Sequence, residues 1–256
     1  MNLYTQVLHI VGSGAVAYFL AHSIRDPQSR PNTLAGFHLA EAGSVPFLTA
    51  LSERATTEGD TWLAEKLTRH AADERRHGQI FAQALKQLNK QVIDFKKSQT
   101  VAAKPAERQR SPFFDAYFDG YSLAQILNPQ QADWTVFMAS TYILELDASK
   151  DFARMAKALS DNSLQSANLK KGLLSIAQDE TGHAAYLYEA LERRLPSVAV
   201  IKLVDQWRTR KVNAMLAMVT NLVQKGGQTP TLVQDGVPME MSTSLTESDV
   251  ARQVAA

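Results

Sequence analysis

Asp73-Glu74-Arg75-Arg76-His77 and Asp179-Glu180-Thr181-Gly182-His183 are the two stretches that decide the fold. Each is an Asp-Glu-x-x-His segment, and a Glu and a His three residues apart face the same way on a helix. Each sits inside an apolar stripe of helical period. Leu63, Leu67, His70, Glu74, His77, Phe81 and Leu85 form the first, and Leu169, Leu173, Ile176, Glu180, His183, Leu187 and Leu191 the second. Such stripes are the core-facing sides of amphipathic helices, so ionisable groups in their middle are anomalous.

Working outward, Glu41 lies 33 residues before Glu74, and Glu145 lies 35 before Glu180. Both are flanked by apolar residues, in Leu39-Ala40-Glu41-Ala42 and Ile143-Leu144-Glu145-Leu146. The chain thus contains an internal repeat: a lone glutamate, then Asp-Glu-x-x-His one helical hairpin later, twice. In an antiparallel bundle, four mid-helix glutamates and two histidines can converge on one point. Burying four ionised carboxylates without compensation would cost several kcal/mol each. The stripes hold no Lys or Arg, so a buried salt-bridge network lacks its cations. Two divalent cations would cancel the four charges. Carboxylate and imidazole donors without sulfur suit iron, with manganese as the alternative.

Composition agrees. The chain has 256 residues, is 45% hydrophobic and 21% charged, and carries a net charge of +1. It can bury a real core and has no global bias toward nucleic acid or an anionic membrane. The absence of cysteine excludes disulfides, zinc-thiolate sites, iron–sulfur clusters and thiol nucleophiles. No run alternates like a strand. Helices are expected at about 3–24, 33–57, 60–90, 131–159, 163–194 and 198–225. Asp26-Pro27, Arg30-Pro31, Gly59-Asp60, Asn128-Pro129, Asp161-Asn162 and Pro196 act as stop signals. One helical domain over 1–225 follows, with its core bundle at about 33–194 and a loosely held tail at 226–256. Val7–Ile24 is apolar but is interrupted by His9, Ser13, His22 and Ser23, with no basic residue before it. It reads as a buried or docking helix rather than a membrane span, and a cytoplasmic location is expected. The connection 91–130 carries Lys96, Lys97, Lys104, Arg108 and Arg110 against Glu107. The aromatic run from Pro112 to Phe118 follows and is expected to pack on the body.

The four-Glu, two-His set in paired hairpins resembles the ferritin-like di-iron carboxylate superfamily. The resemblance covers about residues 33–194. It implies an all-α, ferritin-like antiparallel four-helix bundle with a long crossover and extra N- and C-terminal helices. Glu41, Glu74 and His77 would serve one iron and Glu145, Glu180 and His183 the other, with Glu74 and Glu180 as bridges. A metal-bound imidazole needs an acceptor for its other N–H. In the hydroxylase branch an aspartate does this for the histidine of the opposite half, which pairs Asp73 with His183 and Asp179 with His77. His70 shares the face of Glu74 and His77 and is a candidate third imidazole, similar to the arylamine N-oxygenase branch. Its counterpart in the other half is Ile176. His38, one turn before Glu41, is a weaker case, and Tyr142 and Tyr186 lie near the ligands in sequence. The radical-tyrosine position of the ribonucleotide reductase small subunit is Phe81 here, with Leu187 opposite, which argues against a stable radical generator.

The branch implied is a di-iron oxidoreductase that activates O2 to hydroxylate or N-oxygenate a small organic substrate. Without cysteines, electrons must come from an external reductase or ferredoxin. A ferroxidase or a rubrerythrin-like peroxidase is the alternative, and the hairpin spacing suits it. Against it, the extra rubrerythrin glutamate is replaced by Ala148 and the thiolate relay domain is missing. A scaffold with a vestigial site fits the intact ligand sets poorly. The basic segment Lys96–Arg110 suits an acidic partner, whether a ferredoxin, a carrier protein or tRNA, with a solvated loop as the commoner case. A homodimer is expected.

Overall fold

A computed structural model describes residues 3–94, 111–226 and 230–236. Its elements in order are α1 (Leu3–Arg25), α2 (Arg30–Thr57), α3 (Thr61–Gln87), β1 (Lys90–Val92), α4 (Pro112–Tyr117), α5 (Leu123–Leu127), α6 (Trp134–Ala158), α7 (Leu164–Glu192), α8 (Ser197–Gln224) and β2 (Val233–Asp235). The all-α expectation holds.

Local chemistry sets the boundaries. The Asp60 side chain accepts from Leu63 N at 3.0 Å to start α3, and Asp133 accepts from Thr135 N and Val136 N at 2.8 and 3.0 Å to start α6. Ser163 accepts from Ser166 N at 3.1 Å to start α7. These caps satisfy N–H groups that a helix start leaves open. Pro31, expected to act as a stop, instead lies in the first turn of α2, where a missing N–H costs nothing. The third helix ends at Gln87, not near 90, because Asn89 turns into the left-handed region at φ 52°. The chain then enters β1, which pairs antiparallel with β2 through Gln91 and Gln234. Two short strands were not expected, and part of the segment read as a loose tail is therefore paired. The basic segment Lys96–Arg110 and the residues after Gly236 lie outside the described residues.

α2 with α3, and α6 with α7, form two closely packed hairpins, joined chiefly where α3 meets α7. Two apolar clusters fill this four-helix core. One contains Leu51, Leu67, Met138, Leu187 and Trp207. The other contains Leu34, Phe81, Phe152, Leu173 and Ile176. Along each core helix the chain passes from one cluster to the other, and the candidate ligands fall in between. α3 runs toward the second cluster and α6 starts in the first, so the C-terminus of α3 and the N-terminus of α6 lie at opposite ends of the bundle. On the connection between these helices the aromatic run from Pro112 to Phe118 packs on the body as expected and contains the short helix α4, while α5 was not anticipated. Tyr117 of α4 is fully buried, donates to Ser140 O at 2.8 Å and packs its ring 5.0 Å from Trp207.

α1 lies against α6 and α8. Lys211 of α8, 3% exposed, forms an ion pair with Asp147 of α6 and donates to Ser13 of α1 at 3.1 Å. By length and composition alone, Val7–Arg25 and Arg30–Thr57 are each apolar enough to cross a membrane. The apolar character of α2 is that of a helix whose inner side is core. Asp147→Ala should leave the Lys211 ammonium buried without its counter-charge and destabilise the fold by roughly 3 kcal/mol. A denaturant midpoint unchanged from the parent would contradict this pairing.

Candidate metal centre

Between the two apolar clusters, ligand atoms of Glu41, Glu74, His77 and Glu180 lie within 4.8 Å of one another. Those of His70, Glu74, Glu145 and His183 form a second such group. The structure therefore brings together all six residues singled out as ligands, and His70 with them. Glu74 belongs to both groups. Glu180 of the first group also reaches the second, with Oε2 3.1 Å from His183 Nδ1. Close helix approach makes this possible: a side chain at Gly78, next to His77, would meet the Ala42 backbone N at 3.5 Å.

The histidines are aimed. His77 is fully buried, and its Nε2 faces Asp179 Oδ2 at 3.2 Å. Its Nδ1 makes no hydrogen bond, although Glu180, Glu41 and Glu74 oxygens stand 3.3, 3.6 and 3.7 Å away. A buried imidazole nitrogen left open toward three carboxylates is the environment of a cation ligand. His183 repeats the arrangement: Nε2 lies 3.4 Å from Asp73 Oδ2, and Nδ1 lies 3.1 Å from Glu180 and 3.7 Å from Glu74. Each aspartate thus lies against the histidine of the other hairpin.

His70 is 1% exposed and stacks on His183 with ring centroids 3.7 Å apart. Its Nε2 lies 3.2 Å from Glu74 Oε1 and 3.4 Å from Glu145 Oε1. Its Nδ1 is 2.7 Å from the Tyr186 hydroxyl. The second group thus has two imidazoles and the first has one. His38 is outside both: its Nδ1 is taken by Gly78 O at 2.9 Å. Tyr142 packs on Tyr188 instead, with centroids 5.2 Å apart.

Three further groups support the centre; Arg76 and Ser44 were not singled out in the sequence, and Tyr186 was noted only for lying near the ligands. Arg76 bonds both Asp73, at 3.1 Å, and Asp179, and so ties the two aspartates together across α3 and α7. Ser44 donates to Glu74 Oε2 at 3.1 Å. Tyr186 fixes His70. Arg76 lies within the motif, and an arginine three residues after an aspartate was the available signal. Among the described residues no Lys or Arg forms an ion pair with the four glutamates, so the cage lacks internal cations.

Its electrostatics reflect that lack. Burial, then the facing Glu180, pushes the Glu145 carboxyl well up. Burial with Glu74 nearby does the same to Glu41. Burial works against ionisation of Glu180 as well, but contacts with Glu145, His183 and His77 hold it below the usual carboxylate range. Burial opposes a charge on His77, yet the carboxylates of Glu180 and Glu41 draw it up to about 10. Burial keeps His70 low. Without cations, this environment favours protons on Glu41, Glu145 and His77 and ionised Glu74 and Glu180. A divalent ion would displace those protons, since ligands bind deprotonated. These two buried groups can hold metal ions.

A cavity of about 420 Å3 opens onto the second group, reaching His70, Glu74 and Glu145. Its walls come from α2, α4, α5 and α6 and include Phe47, Phe113, Phe114, Phe118, Phe137 and Leu144.

Comparison with protein-family models, curated proteins and solved structures finds no match.

Asp179→Asn should leave the fold intact and weaken metal binding about 10- to 100-fold, because His77 loses the carboxylate charge that orients and polarises its imidazole. An unaltered titration would remove that role. The pH response has a definite sign. A His77 folded-state value near 10 lies above its unfolded value of about 6.5. Its contribution is complete below pH about 6.5 and is lost as pH rises through about 10. The raised Glu41 and Glu145 act in the same direction. The Tm of chelator-treated protein should fall between neutral pH and 10, and a rise over that interval would contradict the protonated cage.

Proposed function

We propose that the chain is a ferritin-like di-iron oxygenase that oxidises an uncharged, apolar organic substrate. The observation that carries this reading is the conjunction of a cation-free cage of four glutamates and three histidines with an apolar cavity ending on it.

Glu41, Glu74, His77 and Glu180 would hold one iron; Glu74, Glu145, His183 and His70 would hold the other, with Glu180 reaching both. When bound there, ferrous iron would supply the reducing chemistry that O2 activation needs. The net reaction consumes the substrate C–H or N–H group, O2, two electrons and two protons, and yields the oxygenated product and water. The electrons come from an external reductase or ferredoxin, because the chain has no thiolate relay.

The chain's own residues bind, orient and exclude water. Asp179 and Asp73 face the Nε2 atoms of His77 and His183 and leave Nδ1 toward the centre. Arg76 fixes both aspartates. The phenylalanines of the cavity hold the substrate against the His70, Glu74 and Glu145 side and exclude bulk water, which limits unproductive loss of oxidising equivalents. Ferroxidase or peroxidase activity would not call for an aromatic pocket of this size, so the cavity favours an organic substrate.

Anaerobic titration should show two Fe(II) per chain with a raised Tm, since binding to the native state stabilises it. Glu74→Ala should abolish stoichiometric uptake and His183→Ala should remove at least one equivalent. Two irons retained in Glu74→Ala would sink the assignment. Oxygen consumption in an electrode should require reductant and be accelerated by small aromatic hydrocarbons or amines. Fast mineralisation of Fe(II) without substrate or reductant would favour the ferroxidase reading.

A further inference from the structure

We infer that the outer face of α1 is the interface of a two-fold homodimer. α1 has no Lys, Arg, Asp or Glu before Arg25. From Val7 onward its exposed positions before Arg25 are Val7, Ile10, Val11, Gly14, Ala15, Tyr18, Phe19 and His22. They recur at three- and four-residue steps, as a helix seam does. The inner side of the same helix is already engaged: Ala17, Ser23 and Ile24 are buried, and Met215 of α8 packs directly over Gly12.

The area is too large for scattered surface hydrophobes. Val7, Ile10, Val11, Tyr18 and Phe19 are between 49% and 77% exposed. That leaves on the order of 600 Å2 of apolar surface on α1, at the upper end of what a monomer carries as one patch. Leu216, Val219 and Val223 of α8, a helix that packs against α1, are also 49% to 72% exposed, and a stable interface covers roughly 800 Å2 per partner.

The pattern itself selects a second copy. The exposed positions are distributed evenly about Gly14 and Ala15. An antiparallel copy related by a two-fold axis there sets Val11 against Tyr18 and Ile10 against Phe19, with the same contacts repeated by symmetry. Small residues at the crossing let the helix axes approach, and bulky ones on either side fill the gaps. A bilayer surface is the poorer fit. Interfacial helices carry Lys and Arg along their polar side, whereas α1 has a single Arg at one end.

The test uses the full chain, independently of any metal. Sedimentation should give a species of two chains at micromolar concentration, and Ile10→Glu with Tyr18→Glu should give a monomer with unaltered helicity by circular dichroism. The chain has no cysteine, so Ala15→Cys introduces a single thiol at the axis. Under mild oxidant it should form a cross-linked pair about tenfold or more faster than Thr57→Cys at the far end of α2, because facing thiols react at high effective concentration. Neither protein should float with phosphatidylcholine or phosphatidylglycerol vesicles. A monomeric parent chain, equal cross-linking of the two cysteine variants, or flotation of a monomer with vesicles would each overturn the dimer.

Discussion

Four carboxylates placed between two apolar layers govern the organisation of this molecule. Taking one ion from water into a protein interior costs several kcal/mol even after relaxation. Glu41, Glu74 and Glu180 are each less than a tenth exposed, and among the described residues histidines face them but no lysine or arginine does. The charge must be removed by protons or balanced by added cations. Without cations, burial favours protons on Glu41 and Glu145 and neighbouring carboxylates favour one on His77, while contacts with their neighbours favour ionised Glu74 and Glu180. A fold that relied on protons alone would gain nothing from four carboxylates over four methyl-bearing side chains. The chemistry of the layer becomes intelligible when divalent ions replace the protons.

The layer is not symmetric, although the repeat that builds it is. Both hairpins supply Glu, Asp-Glu-x-x-His and a crossed aspartate. Only the first adds His70, and it places that imidazole against the glutamate and histidine of the second. Tyr186, from the second hairpin, receives the other nitrogen. If the phenol accepts from Nδ1–H, Nε2 is left with its lone pair toward Glu74 and Glu145, the orientation a ligand needs. The aromatic cavity reaches this same group. Asymmetry of donors and asymmetry of access thus coincide, and an ion held there would differ from its neighbour in both basicity and exposure to substrate.

How much of this was legible follows from geometry. The six ligands could be read because each lies on a helical stripe, where a charge among leucines stands out without any knowledge of the partner helix. The crossed aspartates lie just off the stripe and needed the resemblance. Arg76, Ser44 and Tyr186 could not be assigned, since their roles depend on which residues of another helix lie opposite. Ser44 is an ordinary helix serine until Glu74 is placed 3.1 Å away. Strands β1 and β2 are three residues each and some 140 residues apart, too short for alternation to emerge. The short helices α4 and α5 were hidden for a similar reason. Their cap residues Ser111 and Ser122 are visible, but a helix of one or two turns has no periodicity to read.

The same rule of amphipathic pattern is broken twice in this chain, in opposite directions. On α3 and α7 ionised groups occupy positions that should be apolar, which places a cost inside the fold that cations can relieve. On α1 apolar groups occupy positions that should be polar, which places a cost on the surface that a covering partner can relieve. A helix apolar on all sides is ordinarily buried on all sides. α1 meets α6, α8 and α2, and among the described residues its outer side stays uncovered. Lys211, its charge held by Asp147 and Ser13, anchors the inner side of α1. The anchoring keeps the seam Val7, Val11, Tyr18 turned outward rather than folded into the core. Both violations are written at single-residue spacing, and each points outside the chain: toward cations that the buried groups can hold in one case, and toward the second copy proposed above in the other.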